Sequence, residues 1–242
     1  MRAAELAAEL DGLRHRGFNY DERDAPRRAG DPDWHVDSGH ARLGEEPPGA
    51  PVPDGPWEAG CRLVRTYDFT DPRLLRGLYR PDDPLLGRDM LLEGRFLALR
   101  FYLGVRITDV VDAERAGPDG PERVWGWTYR TLDGHLEQGR LSYEVVKQLR
   151  TGAVTFWIHA YSRRAPIPNP VYRFGFRVFG RGTQLRFYHR AGQRMRALVE
   201  AHTAGTDTPG PAPLTDGVVI APAAGRSRLW DPLALPVRHP GR

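Results

Sequence analysis

VWGWTYRTLDGHLEQGRLSYEVVKQLRTGAVTFWIHAYSR, residues 124–163, holds three runs of strand length separated by Gly-bearing turns. Such runs predict three successive antiparallel strands. In the segment that follows, IPNPVYRFGFRVFGRGTQLRFYHRAGQRMRALVEAH, residues 167–202, apolar residues recur at helical rather than strand spacing. A sheet followed by a long C-terminal helix is therefore the frame around which the rest of the chain is read.

Upstream, Leu6, Leu10 and Leu13 stand four and three residues apart, predicting a short amphipathic helix that Gly17 ends. From residue 18 to 59 the chain is crowded with Pro, Gly, Asp and Arg, and PPGAPVPDGP cannot form regular structure, so an extended arm is expected. Trp34 suggests that the arm lies against the domain surface. Gly60 to Phe69 reads as a strand, Asp71-Pro72 as the start of a short helix reaching Tyr79, and Met90 to Val111 as a long period-two stretch. In the C-terminal helix, Asn169-Pro170 predicts the cap, Gly180-Arg181-Gly182 a break and Thr183 a second cap. Leu185, Tyr188, Met195, Leu198 and Val199 mark its packing face, and Arg186, Arg190 and Arg194 its wet one. The fold class predicted is α+β, a curved antiparallel sheet of about six strands wrapped around a long C-terminal helix. The divisions expected are a helix over 1–17, the arm over 18–59, one α+β domain over 60–202 and a disordered tail over 203–242.

At 242 residues the chain suffices for one sizeable core with a tail. No apolar run approaches the roughly 18 residues needed to span a bilayer, and no basic segment with an apolar run opens the chain, so a cytoplasmic location is expected. The lone Cys61 excludes an internal disulfide and any Cys-rich zinc site, and its surroundings mark it as a small core residue. The net charge is only +4, yet residues 150–202 carry ten arginines against one acid, Glu200. Charge runs usually solvate a surface, which argues against nucleic acid, although an anionic surface docked on the helix is a rival reading. Lys147 is the only lysine.

The order strand, short helix, several antiparallel strands, long helix resembles the helix-grip arrangement of START-like and Bet v 1-like proteins. GRDMLLEGRFLALRFYLGVRI (87–107), RVWGWTYRTLDGHLEQG (123–139), FWIHAYSRRAPIPNPVYRFGFRVFGR (156–181) and QLRFYHRAGQRM (184–195) go further. With their TLxGHxExG and AxSR segments, they resemble the domain-of-unknown-function 1990 family over about Trp34 to Val199. That resemblance implies no established reaction.

Candidate chemistry gathers on the three strands. Trp125, Trp127, Tyr129 and Thr131 share one face, suited to the wall of a mainly apolar ligand cavity or, equally, to a core packed beneath the helix. His135 and Glu137, two apart, form an acid-base pair if the backbone is extended there, whereas in a plain turn they bond to local backbone groups. As a metal site the pair is incomplete, even with His159 as a third ligand, and no metal is expected. On the last strand Ser162 is placed inward near the rim and His159 outward, while Arg163 and Arg164, at the strand's exit, suit a carboxylate, a phosphate or plain solvent. No GxGxxG after a strand, GxxxxGK[ST], HExxH or GxSxG occurs, so no cofactor is expected. These residues favour binding of a small apolar or amphipathic molecule between sheet and helix. Any catalysis would be proton transfer by His135 and Glu137, with Tyr129 positioning an oxygen. A partner-binding module without catalysis is the further alternative.

Overall fold

The computed structural model describes all residues except 27–30, 32, 97–98, 167–169, 209, 224–234 and 238–242, and describes 96, 170–180 and 235–237 by backbone alone. In chain order the main elements are α1 (Ala3–Gly12), β1 (His35–Glu45), α2 (Pro56–Thr66), β2 (Leu75–Tyr79), β3 (Asp89–Phe96) and β4 (Leu99–Gly117). They continue with β5 (Gly120–Thr131), β6 (Glu137–Gln148), β7 (Ala153–Arg164), α3 (Pro170–Thr203), β8 (Ala212–Thr215), β9 (Val218–Ala221) and β10 (Leu235–Val237).

The three runs from 124 to 163 form β5, β6 and β7, each antiparallel to the next. They stand in a single curved sheet of order β1-β7-β6-β5-β4-β3-β2-β9-β8, with β10 parallel to β4. Among the described residues the sheet thus has 10 strands rather than about six. Closure of β1 onto β7 brings the start of the domain beside its last hairpin, and α3 then returns across the same face, which is the helix-grip arrangement. Register shifts in β4 and β1 add local bend to the sheet.

Further expectations are corrected. Within 18–59, His35–Glu45 is a strand at the sheet edge, although the Pro-rich run after it is irregular and Trp34 packs against Tyr20 and Tyr161. Residues 60–66 are helical, because Ala59, Gly60, Leu63 and Val64 recur every three to four residues and point at the sheet. Gly60 admits that approach: a Cβ there would stand 2.9 Å from Leu43 Cδ1 and 3.1 Å from Val145 Cγ1. Asp71 does cap a turn, through the Arg73 amide at 2.9 Å, but the chain then enters β2 instead of a helix. In α3 the helix runs unbroken through Gly180 and Gly182, and Asn169 lies outside the described residues. Leu185, expected on its packing face, is exposed. The tail also contributes: β8 and β9 form a hairpin on the β2 edge.

Alternation divides the side chains into two cores. On the helix side, Trp127, Tyr143, Phe156 and Val145 pack with Leu63, Val64, Tyr67 and Phe69 and with Phe187, Ala191, Met195 and Val199 of α3. On the opposite side, Leu6, Leu10 and Leu13 cover Leu78, Leu91, Tyr102, Leu132 and Ile220. The layers are therefore α2 and α3, sheet, then α1. The outer layer is pinned by charge: Arg106 pairs with Asp89 at 2.7 Å and donates to the Leu13 carbonyl at 2.9 Å, and Arg80 pairs with Asp11 at 2.9 Å.

The only lysine sits on the helix side at the far end of β6, fully buried. Its Nζ donates to Glu46 Oε2 at 2.7 Å and to the Ala50 carbonyl at 2.8 Å. Glu46 in turn accepts from the amides of Trp57 at 2.8 Å and Val52 at 3.2 Å, so one buried ion pair organises the whole β1–α2 connection.

Candidate functional site

Cross-strand partners share a face, so register decides what meets α3. Trp125, Trp127 and Tyr129 pair with Val145, Tyr143 and Leu141, and these with Phe156, Ile158 and Ala160. All lie beneath the helices. In the middle the aromatic residues fill the space themselves: Trp127 Nε1 donates to the Val64 carbonyl at 3.0 Å, and the Tyr143 ring centroid lies 5.0 Å from that of Trp127 and 4.7 Å from that of Phe69. Arg65 covers Trp125 at 4.6 Å, and the Tyr67 and Tyr143 hydroxyls meet at 3.4 Å. Tyr129 stands at the end of this cluster.

Beyond it the same face turns polar. Following the register one step further brings Gly139 opposite Ser162 and Glu137 opposite Arg164 on β7, with Asp37 of β1 opposite Ala160. The α3 residues above are Arg181, Gln184 and Tyr188, and α3 comes close to β1 because Gly192 lacks a side chain: a Cβ there would stand 3.1 Å from Ala41 Cβ. Arg181 grips Asp37 through both guanidinium nitrogens and donates to Gln184 Oε1 at 2.9 Å, and Gln184 Nε2 donates to Ser162 Oγ at 3.0 Å. The Tyr188 hydroxyl is buried beside the Gln184 side chain.

Glu137 is half-buried among these groups. Burial pushes its carboxyl up to about 7, with Arg181 pulling the other way and Asp37 adding to the rise. A carboxyl so placed exchanges its proton near neutrality. Burial, with the charges of Glu137 and Asp37, also raises the Tyr188 phenol, and burial raises Tyr129, which feels Tyr67, Tyr188 and Glu137. The arrangement is a carboxyl near two phenols at the rim of an aromatic core, with Arg181 committed to Asp37.

His135 takes a different part. It is buried, and its Nδ1 lies 2.9 Å from the Glu137 amide and 3.0 Å from the Glu137 carbonyl. A backbone amide can only donate, so Nδ1 is the acceptor and the ring proton sits on Nε2. Burial lowers the imidazole to about 4, leaving it neutral. The ring therefore holds the backbone of Glu137 rather than its carboxylate. Thr131 is similarly engaged: its hydroxyl donates to Asn19 Oδ1 at 2.6 Å and accepts from the Gly139 amide at 3.0 Å.

Other candidates lie on the opposite face. Arg163 covers Trp34 at 4.5 Å and donates to Gln138 Oε1 at 2.7 Å. His159 stacks on Trp157 with centroids 5.5 Å apart. No His, Cys, Asp and Glu cluster able to hold a metal occurs among the described residues. The arginine stripe is partly committed, Arg190 to Asp71 at 3.5 Å and Arg194 to the Asp68 carbonyl at 3.0 Å. An open hollow of about 560 Å³ on the same far face is lined by Phe18, Tyr20, Glu22 and Arg130 among others, but Arg130 is already held between the Phe18 and Tyr20 rings at 4.2 and 4.7 Å.

Sequence reading did not single out Asp37, Arg181, Gln184, Tyr67 or Tyr143, and placed Tyr188 only as packing. Asp37 lies in a segment read as an arm, and Arg181 in a triplet read as a break. Only the register of β1 on β7, with the passage of α3 above, brings them together.

Comparison with known proteins gives a family and distant structural likenesses. The family model described as Domain of unknown function (DUF1990) matches residues 19–194. No curated protein matches. Among solved structures, that of Ara h 8.0201 is similar at 9% identity and a TM-score of 0.39, covering 71% of this chain and 99% of that one. An uncharacterised protein from Rhizobium leguminosarum is similar at 11% identity and a TM-score of 0.31, covering 69% of this chain and 98% of that one. Among the described residues no helix is long and apolar enough to cross a membrane.

Proposed function

The chain belongs to the domain-of-unknown-function 1990 family, and from that premise we propose that it binds a small apolar or amphipathic molecule at the polar end of the sheet–helix interface. The ligand's apolar part would lie against Tyr129 and the rim of the aromatic core, and its polar end at Glu137. The observation that carries this reading is the half-buried Glu137 on the face that meets α3, near enough to the buried Tyr129 and Tyr188 for its charge to raise both phenols. A protein core gains nothing from an ionised carboxyl there, since burial penalises the charged form.

Where chemistry follows binding, Glu137 is the proton carrier, because its carboxyl changes state near pH 7. His135 is a positioning residue that fixes the Glu137 backbone through the amide it accepts. We place the protein in the cytoplasm, on the strength of its single buried cysteine.

Native mass spectrometry of protein purified from its own host, followed by denaturing extraction, tests the reading. A stoichiometric small molecule is expected, and Glu137→Ala should lower its occupancy at least tenfold with the fold intact by circular dichroism. Equal occupancy in the variant would remove Glu137 from the site.

A further inference from the structure

We propose that the outer edge of β1, together with the flank of α3 above it, is a docking site for an acidic extended segment of another protein, which joins the sheet as an added strand. It does not depend on the ligand-binding reading above.

Three observations meet at this edge. First, β1 ends the sheet: His35–Glu45 pairs with β7 on one side, and among the described residues no strand pairs with the other. The strand is 11 residues long and carries no Lys or Pro, the usual protections of an edge, and its one bulge comes late, between Arg42 and Gly44. Its outward N–H and C=O groups are a template for an incoming strand. Second, α3 roofs the edge. It stands directly over β1, where a Cβ on Gly192 would lie 3.1 Å from Ala41 Cβ, while Arg190 and Arg194 turn inward to Asp71 and the Asp68 carbonyl. At about 100° per residue, Leu185, His189 and Arg196 then fall on the opposite flank of the helix, above the lane that a strand about 4.8 Å outside β1 would occupy. Leu185 is 48% exposed, and Val36, on the other face of β1, is exposed to the same extent, so the lane has an apolar contact above and one below. Third, charge selects the occupant. The exposed basic residues on this side of α3 are Arg186, His189 and Arg196, against Glu200 alone. The Arg196–Glu200 pair is loose, at 3.9 Å with both side chains more than half in solvent. A second copy pairing β1 with β1 about a two-fold axis would set these basic residues against their own counterparts. Carboxylates projecting from every second position of a foreign strand meet them instead.

Three capped octapeptides separate the possibilities by isothermal titration at pH 7.5 and low salt: one alternating Val and Glu, the same sequence with every amide N-methylated, and one alternating Val and Lys. The Val-Glu peptide is expected to bind at least tenfold tighter than either of the others and to slow amide hydrogen exchange across residues 35–45. The double variant Arg186→Glu/Arg196→Glu, altered only at exposed positions, should keep its fold by circular dichroism and bind that peptide at least tenfold more weakly. Equal binding of the N-methylated peptide overturns strand addition, and equal binding of the Val-Lys peptide overturns the acidic assignment. Undiminished affinity in the double variant removes α3 from the site. Self-association in sedimentation velocity with protection of residues 35–45 gives the edge to a second copy and overturns the proposal, as does failure of the Val-Glu peptide to bind.

Discussion

Replacing Lys147 by methionine removes an ammonium that is fully buried and bonded to Glu46 Oε2 at 2.7 Å and to the Ala50 carbonyl at 2.8 Å. The methionine fills nearly the same volume, so the loss is electrostatic rather than a cavity. What remains is a carboxylate still receiving the Trp57 and Val52 amides but with no counter-charge, and an orphaned carbonyl at Ala50. Breaking one side of a buried pair costs about 3–5 kcal/mol, and at about 2–4 °C per kcal/mol for a domain of this size the thermal midpoint should fall by about 6–20 °C. Urea unfolding followed by tryptophan fluorescence measures the change in midpoint at constant slope. The double variant Lys147→Met/Glu46→Gln should recover at least half of the loss, because a neutral amide needs no counter-charge and can donate to Ala50. A single-variant loss under about 1 kcal/mol, or a double variant no better than the single, would refute the view that this pair holds the β1–α2 connection.

Other consequences are open to equally direct measurement. Because the Glu137 carboxyl is raised from 4.5 to about 7, the folded chain holds its proton more tightly than the unfolded one, so this group's contribution is present at pH 4.5 and lost as pH rises through 7. Glu137→Gln should therefore gain about 1–2 kcal/mol over the native chain at pH 8 relative to pH 5, after allowance for its partial exposure; an identical difference at both pH values would sink the argument. His135, lowered to about 4, acts in the opposite sense, and its contribution fades as pH falls from 6.5 to 4. Leu13→Ala should cost about 2–5 kcal/mol, since Leu13 is fully buried against the sheet, and a neutral result in urea unfolding would detach α1 from the cooperative unit. With Arg190 and Arg194 committed to the α2–β2 connection, retention on heparin should vanish by 150 mM salt, whereas persistence there would restore the anionic-surface reading.

The strands from 124 to 163 were legible because each alternates cleanly and ends in glycine-bearing turns, and the same alternation assigned Trp125, Trp127, Tyr129 and Ser162 to the face beneath α3. β1 was not, because HVDSGHARLGE sits at the sheet edge with most residues at least partly in solvent and so lacks an apolar period. The tail hairpin did carry a signal: Asp216-Gly217 between apolar runs marks a tight turn, and both residues have the left-handed φ it needs, 49° and 72°. α2 was misread since its Gly and Cys, weak helix formers, face the sheet where close approach outweighs propensity. The site was least legible of all. Asp37 and Arg181 meet across 144 positions of sequence, and no local pattern announces a contact made only by strand register.

The burial of Lys147 has a chemical corollary for the surface. Every other basic side chain that could present a positive charge there is arginine or histidine, so the folded chain exposes no lysine amine to acylating reagents or to a lysine-specific endoprotease. Reaction at position 147 then requires the junction around Glu46 to open first, and its rate counts those openings directly. Acylation of this one nitrogen thus becomes a clock for the rarest motion of the β1–α2 connection, with no background from the rest of the side chains.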